Sequence, residues 1–163
     1  MSSLTFDIQR RQDTTAESVR SGILADPGFG LHMTDHMVTA TWTRGTGWHS
    51  GQLTAFGPIQ ISPAAAVLHY AQEIFEGLKA YRTADGGATL FRPLENARRF
   101  QQSAERLAMP ALPEDVFLEA VDQLVKIDRA WIPEGDGSLY LRPFMFANEI
   151  FLGVKPSSDY LFI

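Results

Sequence analysis

The chain has 163 residues, enough for one domain with a real core. Its 45% hydrophobic and 20% charged content is ordinary for a globular protein and excludes wholesale disorder. A net charge of −5 without a basic stripe argues against nucleic acid as a partner. No apolar run approaches bilayer length. With 0 cysteines there is no disulfide, thiolate nucleophile or cysteine metal site. The polar N-terminus lacks the apolar centre of a secretory signal, so the cytoplasm is the default setting.

In chain order, residues 1–20 read as a flexible tail, and residues 21–163 make the domain. Asp26 to Gly30, DPGFG, is a turn. Met37–Trp42 and Gly51–Ile61 read as strands joined by a turn over Arg44–Trp48. Ser62-Pro63 then opens a helix whose buried face is Val67, Ala71, Ile74 and Leu78. Tyr81-Arg82 begins a strand that turns at Asp85-Gly86 and returns to Phe91. A second helix spans Leu94 to Ala108, with Ala97, Phe100, Ala104 and Leu107 on one side. A third starts near Pro113 and carries Phe117, Val121 and Leu124 toward Trp131. Ser138–Phe146 reads as a strand, and Tyr160 to Ile163 begins another. Strands and helices in no strict alternation predict an α+β domain with a largely antiparallel sheet packed with helices. Because the last residues, YLFI, read as an apolar strand in progress, the chain is expected to be a fragment.

Several side chains invite a chemical reading. If Ser138–Phe146 is one strand, Tyr140, Arg142, Phe144 and Phe146 share a face. An arginine among aromatics suits a substrate carboxylate, or pairs with an internal acid such as Glu149. Tyr70, Phe75 and Glu76 fit ordinary packing of the first helix, and Lys79 fits a solvated lysine. Arg98 and Arg99 near a helix start oppose its dipole, which suits either an anion or a solvated face with Glu95 and Gln102. His32 and His36 are four apart, but GLHMTDHMV does not read as a helix and offers no third ligand, so no metal site is expected. No dinucleotide fingerprint, Walker motif or GxSxG elbow is present.

The segments FGLHMTDHM, SPAAAVLHYAQEIFEGLKAY, LFRPLENARRFQQSAERL, SLYLRPFMFANE and FLGV change this balance. In order and spacing they resemble the branched-chain aminotransferases, pyridoxal-phosphate enzymes of fold type IV, from about Phe29 onward. The resemblance implies the small N-terminal domain of such an enzyme, a homodimer, and amino acids and 2-oxo acids as small-molecule partners. It implies that Arg99 holds the phosphate of pyridoxal phosphate, and that Tyr140 and Arg142 line the substrate pocket, the arginine meeting a second carboxylate. Phe29, Tyr70 and Phe75 would form the apolar wall, and Leu152 and Val154 a loop reaching a partner's site. None of the lysines Lys79, Lys126 and Lys155 matches the one that carries the cofactor, so the chain contributes no catalytic residue and is expected to be inactive alone. Alternative readings are a D-amino-acid aminotransferase, an aminodeoxychorismate lyase, or a non-catalytic binding or dimerisation module.

Overall fold

The computed structural model describes residues 4–163. Among them run β1 (Phe6–Ile8), α1 (Glu17–Ala25), β2 (His36–Thr43), β3 (Gly47–Ala55), α2 (Ala66–Tyr70), β4 (Glu73–Phe75) and β5 (Leu78–Arg82). There follow β6 (Ala88–Leu90), α3 (Pro93–Arg106), α4 (Glu114–Ile127), β7 (Leu139–Leu141), β8 (Phe144–Ala147) and β9 (Asp159–Phe162). One sheet has the order β1-β3-β2-β9-β8-β4 and a smaller one the order β6-β5-β7. Every pairing is antiparallel except β1 with β3, so the expected α+β, largely antiparallel architecture is present. None of the helices among the described residues is long and apolar enough to cross a membrane.

The core lies where α3 and α4 cover the larger sheet. The fully buried rings of Phe100 on α3, Phe117 on α4 and Phe162 on β9 contact one another at centroid distances of 5.6 to 6.4 Å. The helical spacing of Ala97, Phe100 and Ala104, and of Phe117 and Val121, brings these residues inward as the sequence predicts. Leu107 instead lies exposed just past the end of α3.

Two readings of local structure are corrected. The helix expected from Ser62 stops at Tyr70. Ala71 takes a left-handed conformation (φ 50°, ψ 35°) that ends α2, and the chain continues as β4 and β5. Ile74, Glu76, Leu78 and Ala80 are buried while their neighbours are exposed or part-exposed, which is the period of a strand. The strand expected over Ser138–Phe146 is two strands in different sheets, broken at Arg142-Pro143 because proline has no N–H to donate. The hairpin at Asp85-Gly86 forms as expected, with Arg82 opposite Ala88.

The stretch read as a tail is anchored from residue 4 onward; residues 1–3 lie outside the described part. β1 pairs with β3. Asp35, a buried carboxylate, accepts the Thr15 amide and hydroxyl on one oxygen and the Trp131 indole N–H on the other, all within 2.9 Å. Burial opposes its ionisation, but the hydrogen bonds from Thr15 and Trp131 outweigh that and hold its pKa below the usual aspartate value. Beside it, buried His36 receives the Arg11 amide on Nε2, so Nδ1 carries the proton and donates it to Asp128 Oδ1, 2.6 Å from the nitrogen. These bonds join residues 20 to 96 positions apart, which is why composition alone reads the segment as a tail.

Asp35→Ala strands the buried Trp131 indole N–H and two part-buried donors of Thr15, and is expected to cost about 1–3 kcal/mol of stability by denaturant titration. Because folding lowers its pKa, Asp35 contributes stability above the unfolded value near 4 and loses it as pH falls through the lower folded value. Asp35→Asn is therefore expected to flatten the acid limb of the stability profile.

Candidate active site

The site is built on a two-stranded ribbon that passes from one sheet to the other. Phe75 faces Phe144 in the β4–β8 pairing, and Leu78 faces Leu141 in the β5–β7 pairing. The register is the same on both sides of the junction, which sets Gly77 opposite Arg142 and Glu76 opposite Pro143. The Glu76 amide donates to the Pro143 carbonyl at 2.8 Å and closes the gap. Side chains alternate across this ribbon. One side carries Phe75, Gly77, Tyr140 and Arg142; the other carries Ile74, Glu76, Leu78 and Leu141.

On the first side, the Arg142 guanidinium lies 4.5 Å above the Phe75 ring and 5.3 Å from the Tyr140 ring. Its Nε and Nη2 donate to the Tyr140 hydroxyl at 3.1 and 2.9 Å. Phe29 packs edge-on against Tyr140, with centroids 5.2 Å apart. Four residues singled out in the sequence, Phe29, Phe75, Tyr140 and Arg142, are thus brought together. Arg142 does not pair with Glu149, which accepts from Lys155 and from the Ser158 amide. A Cβ on Gly77 would collide with the Tyr140 hydroxyl, so any side chain there requires that ring to shift, and glycine is favoured by close approach, not by its backbone angle.

On the second side, the Glu76 carboxylate binds Arg99 of α3 through both oxygens, with Arg99 Nε 3.0 Å from Oε1 and Nη2 2.7 Å from Oε2. Asn96, one turn earlier on α3, donates to the same Oε2 at 2.8 Å and to the Gly77 carbonyl at 3.1 Å. Burial opposes ionisation of Glu76, but the hydrogen bonds from Arg99 and Asn96 prevail and keep its pKa below the usual glutamate value. The Arg99 side chain is 58% exposed against 9% for Glu76. It borders an open groove of about 590 Å³ between β4 and α3, also lined by Phe75, Glu76, Ser103 and Arg106. Phe75 is shared between this groove and the Arg142 cluster.

Among the described residues no side-chain hydrogen bond or ring contact joins Tyr70, Leu152 or Val154 to these two clusters. The Tyr70 hydroxyl donates to the Leu152 carbonyl, tying α2 to the 150–156 segment. Leu152 is 60% and Val154 92% exposed. Lys79, Lys126 and Lys155 are all exposed, the latter two paired with Asp122 and Glu149. His32 is exposed and His36 is committed to Asp128, and no cluster of three metal-ligating side chains occurs among the described residues. Sequence reading groups Glu76 with Tyr70 and Phe75 as packing on the expected helix and holds Asn96 only as part of the segment LFRPLENARRF, and gives neither a role. The available signal was a glutamate at a buried position of a period-two run, where a carboxylate needs partners.

No family model matches the chain. Its fold is that of the N-terminal region of solved aminotransferases. The branched-chain amino acid aminotransferase from Escherichia coli superposes with a TM-score of 0.56 at 23% identity, over 77% of this chain and 40% of that one. A second branched-chain amino acid aminotransferase, solved in complex with N-(5'-phosphopyridoxyl)-L-glutamate, gives 0.55 at 27% identity, over 76% and 39%. In sequence, the chain is 55% identical over 165 residues to a Streptomyces coelicolor protein named "Probable branched-chain-amino-acid aminotransferase", covering 100% of this chain and 46% of that protein. It is 52% identical over 162 residues to the branched-chain-amino-acid aminotransferase of Mycolicibacterium smegmatis, covering 98% and 44%. The chain therefore belongs, in sequence and fold, with the N-terminal part of the branched-chain-amino-acid aminotransferases, and spans less than half the length of the curated relatives it matches.

Gly77→Ala forces the Tyr140 ring or the ribbon to move and is expected to cost about 1–3 kcal/mol in a denaturant titration. Adding Tyr140→Phe removes the nearest atom of the clash and is expected to restore part of that loss.

Proposed function

We propose that this chain is the N-terminal part of a pyridoxal-phosphate-dependent transaminase that moves the amino group of leucine, isoleucine or valine to 2-oxoglutarate. The observation that carries the reading is the 55% identity across the whole chain to the Streptomyces coelicolor relative. The juxtaposition of Phe29, Phe75, Tyr140 and Arg142 supports it. The reading includes a small domain over 21–163, to which the anchored N-terminal segment is added, and a larger domain supplying the lysine. A homodimer and a cytoplasmic setting come with the same reading.

The residues present fit the cofactor's phosphate. Arg99 is half-exposed at the groove, and its Nη1 has no hydrogen-bond partner among the described residues, so one edge of the fork is free for an anion. Pyridoxal phosphate, when bound, supplies the electron sink for proton removal at the amino acid's α-carbon. This chain's part is to hold and orient. Arg142, steadied over Phe75 and by the Tyr140 hydroxyl, would meet the second carboxylate of glutamate or 2-oxoglutarate. The exposed rings of Phe29 and Phe75 would exchange water for a branched side chain, with Tyr70 completing the wall. Leu152 and Val154, exposed on a segment tethered by Tyr70, would reach a second subunit.

None of the three lysines is desolvated, the condition that readies a lysine amine to attack a carbonyl. The chain alone is therefore expected to form no glutamate from leucine and 2-oxoglutarate. Extended to its native stop codon and supplied with pyridoxal phosphate, it is expected to show a visible absorption band that L-leucine bleaches and 2-oxoglutarate restores. Turnover by the 163-residue chain would sink the expectation that it is inactive alone, and a band indifferent to leucine would sink the transaminase proposal.

A further inference from the structure

A carboxylate on the inward side of a ribbon is costly unless its oxygens are filled. Glu76 stands between buried Ile74 and Leu78, and an apolar residue there would suit the alternation better. All the hydrogen bonds its carboxylate accepts from side chains come from α3: two from Arg99 and one from Asn96. Asn96 and Arg99 are three apart on the helix and so lie on one face. The second Asn96 bond, to the Gly77 carbonyl, fixes the amide and hence the carboxylate that it touches. The guanidinium consequently has an occupied edge, Nε with Nη2, and an open edge at Nη1.

We infer that Glu76, held by Asn96, is a positioning residue for Arg99: it takes one edge of the guanidinium and leaves the other presented to the groove for the cofactor's phosphate. This rests on the transaminase reading above for the identity of the anion. Two effects of the carboxylate oppose each other. Its charge repels a phosphate, while its hydrogen bonds remove the rotamer freedom that an exposed arginine would otherwise lose on binding. The repulsion acts through solvent around a 58% exposed side chain and is screened. The ordering is not screened, so orientation prevails. The same backbone turn places Gly77 beneath Tyr140, so Phe75, Glu76 and Gly77 in succession support Arg142, Arg99 and Tyr140.

The test compares dissociation constants for pyridoxal phosphate and for pyridoxal in the chain extended to its native stop codon, read by absorbance. The pyridoxal constant divided by the pyridoxal phosphate constant isolates what the phosphate contributes, and a general loss of structure weakens both ligands alike. Glu76→Ala is expected to reduce the ratio on the order of tenfold, the size of one charge-assisted contact. Arg99→Ala is expected to reduce it further, and the double variant no further than Arg99→Ala alone. A ratio unchanged or raised in Glu76→Ala overturns the inference while leaving the transaminase reading intact. Should Glu76→Ala not fold, Glu76→Gln, which keeps one acceptor oxygen, is expected to give an intermediate ratio, and a wild-type ratio there is equally fatal. A wild-type chain that binds the two ligands equally removes both the phosphate assignment and the inference.

Discussion

The constraint on which the site depends is the common register of two antiparallel pairings that belong to different sheets. Because residues 73–75 and 78–80 face 146–144 and 141–139 in one continuous count, the chain can leave the larger sheet and enter the smaller without losing step. Proline at 143 removes a ladder donor at the crossing, and the Glu76 amide to Pro143 carbonyl bond compensates on the other strand. Side-chain alternation then sorts the chemistry automatically. Arg142 and its aromatic supports fall on one side, and the carboxylate that meets Arg99 falls on the other.

Each arginine is stabilised differently, in keeping with its surroundings. Arg142 is exposed and rests on aromatic faces, where a guanidinium gains attraction without losing its remaining donors. Arg99 is tied to a carboxylate whose other contacts are buried, so its position is set by α3 and the ribbon together. The ion pair carries little weight as a surface salt bridge. Its consequence is geometric, since it joins the helix that covers the sheet to the junction between sheets.

Much of this was legible in the sequence where one periodicity prevailed. The apolar faces of α3 and α4 and the Asp85-Gly86 hairpin rest on local rules and form as read. The ribbon failed because two periods overlap. Val67, Ala71, Ile74 and Leu78 satisfy a helix, while Ile74, Glu76, Leu78 and Ala80 satisfy a strand whose second member is charged. A charge in the alternation hides the strand and, for the same reason, marks the residue of interest. Arg142 and Arg99 could be noticed as charges in unusual company, whereas Asn96 had nothing to distinguish it until Glu76 was in view. The N-terminal segment was unreadable because a three-residue strand and hydrogen bonds to distant partners, not a sustained apolar pattern, hold it.

That mode of attachment has a kinetic side. α1 contains no buried residue, and the strap leading to it is held chiefly by polar contacts to Asp35 and His36. Such a unit can detach without exposing the Phe100, Phe117 and Phe162 core, so its opening free energy is set by a few hydrogen bonds and not by global unfolding. Amide protons of α1 would accordingly exchange with solvent through local opening, long before those of α3 and α4. The two-sheet scaffold and its ribbon would remain whole beneath a loosely hinged outer helix.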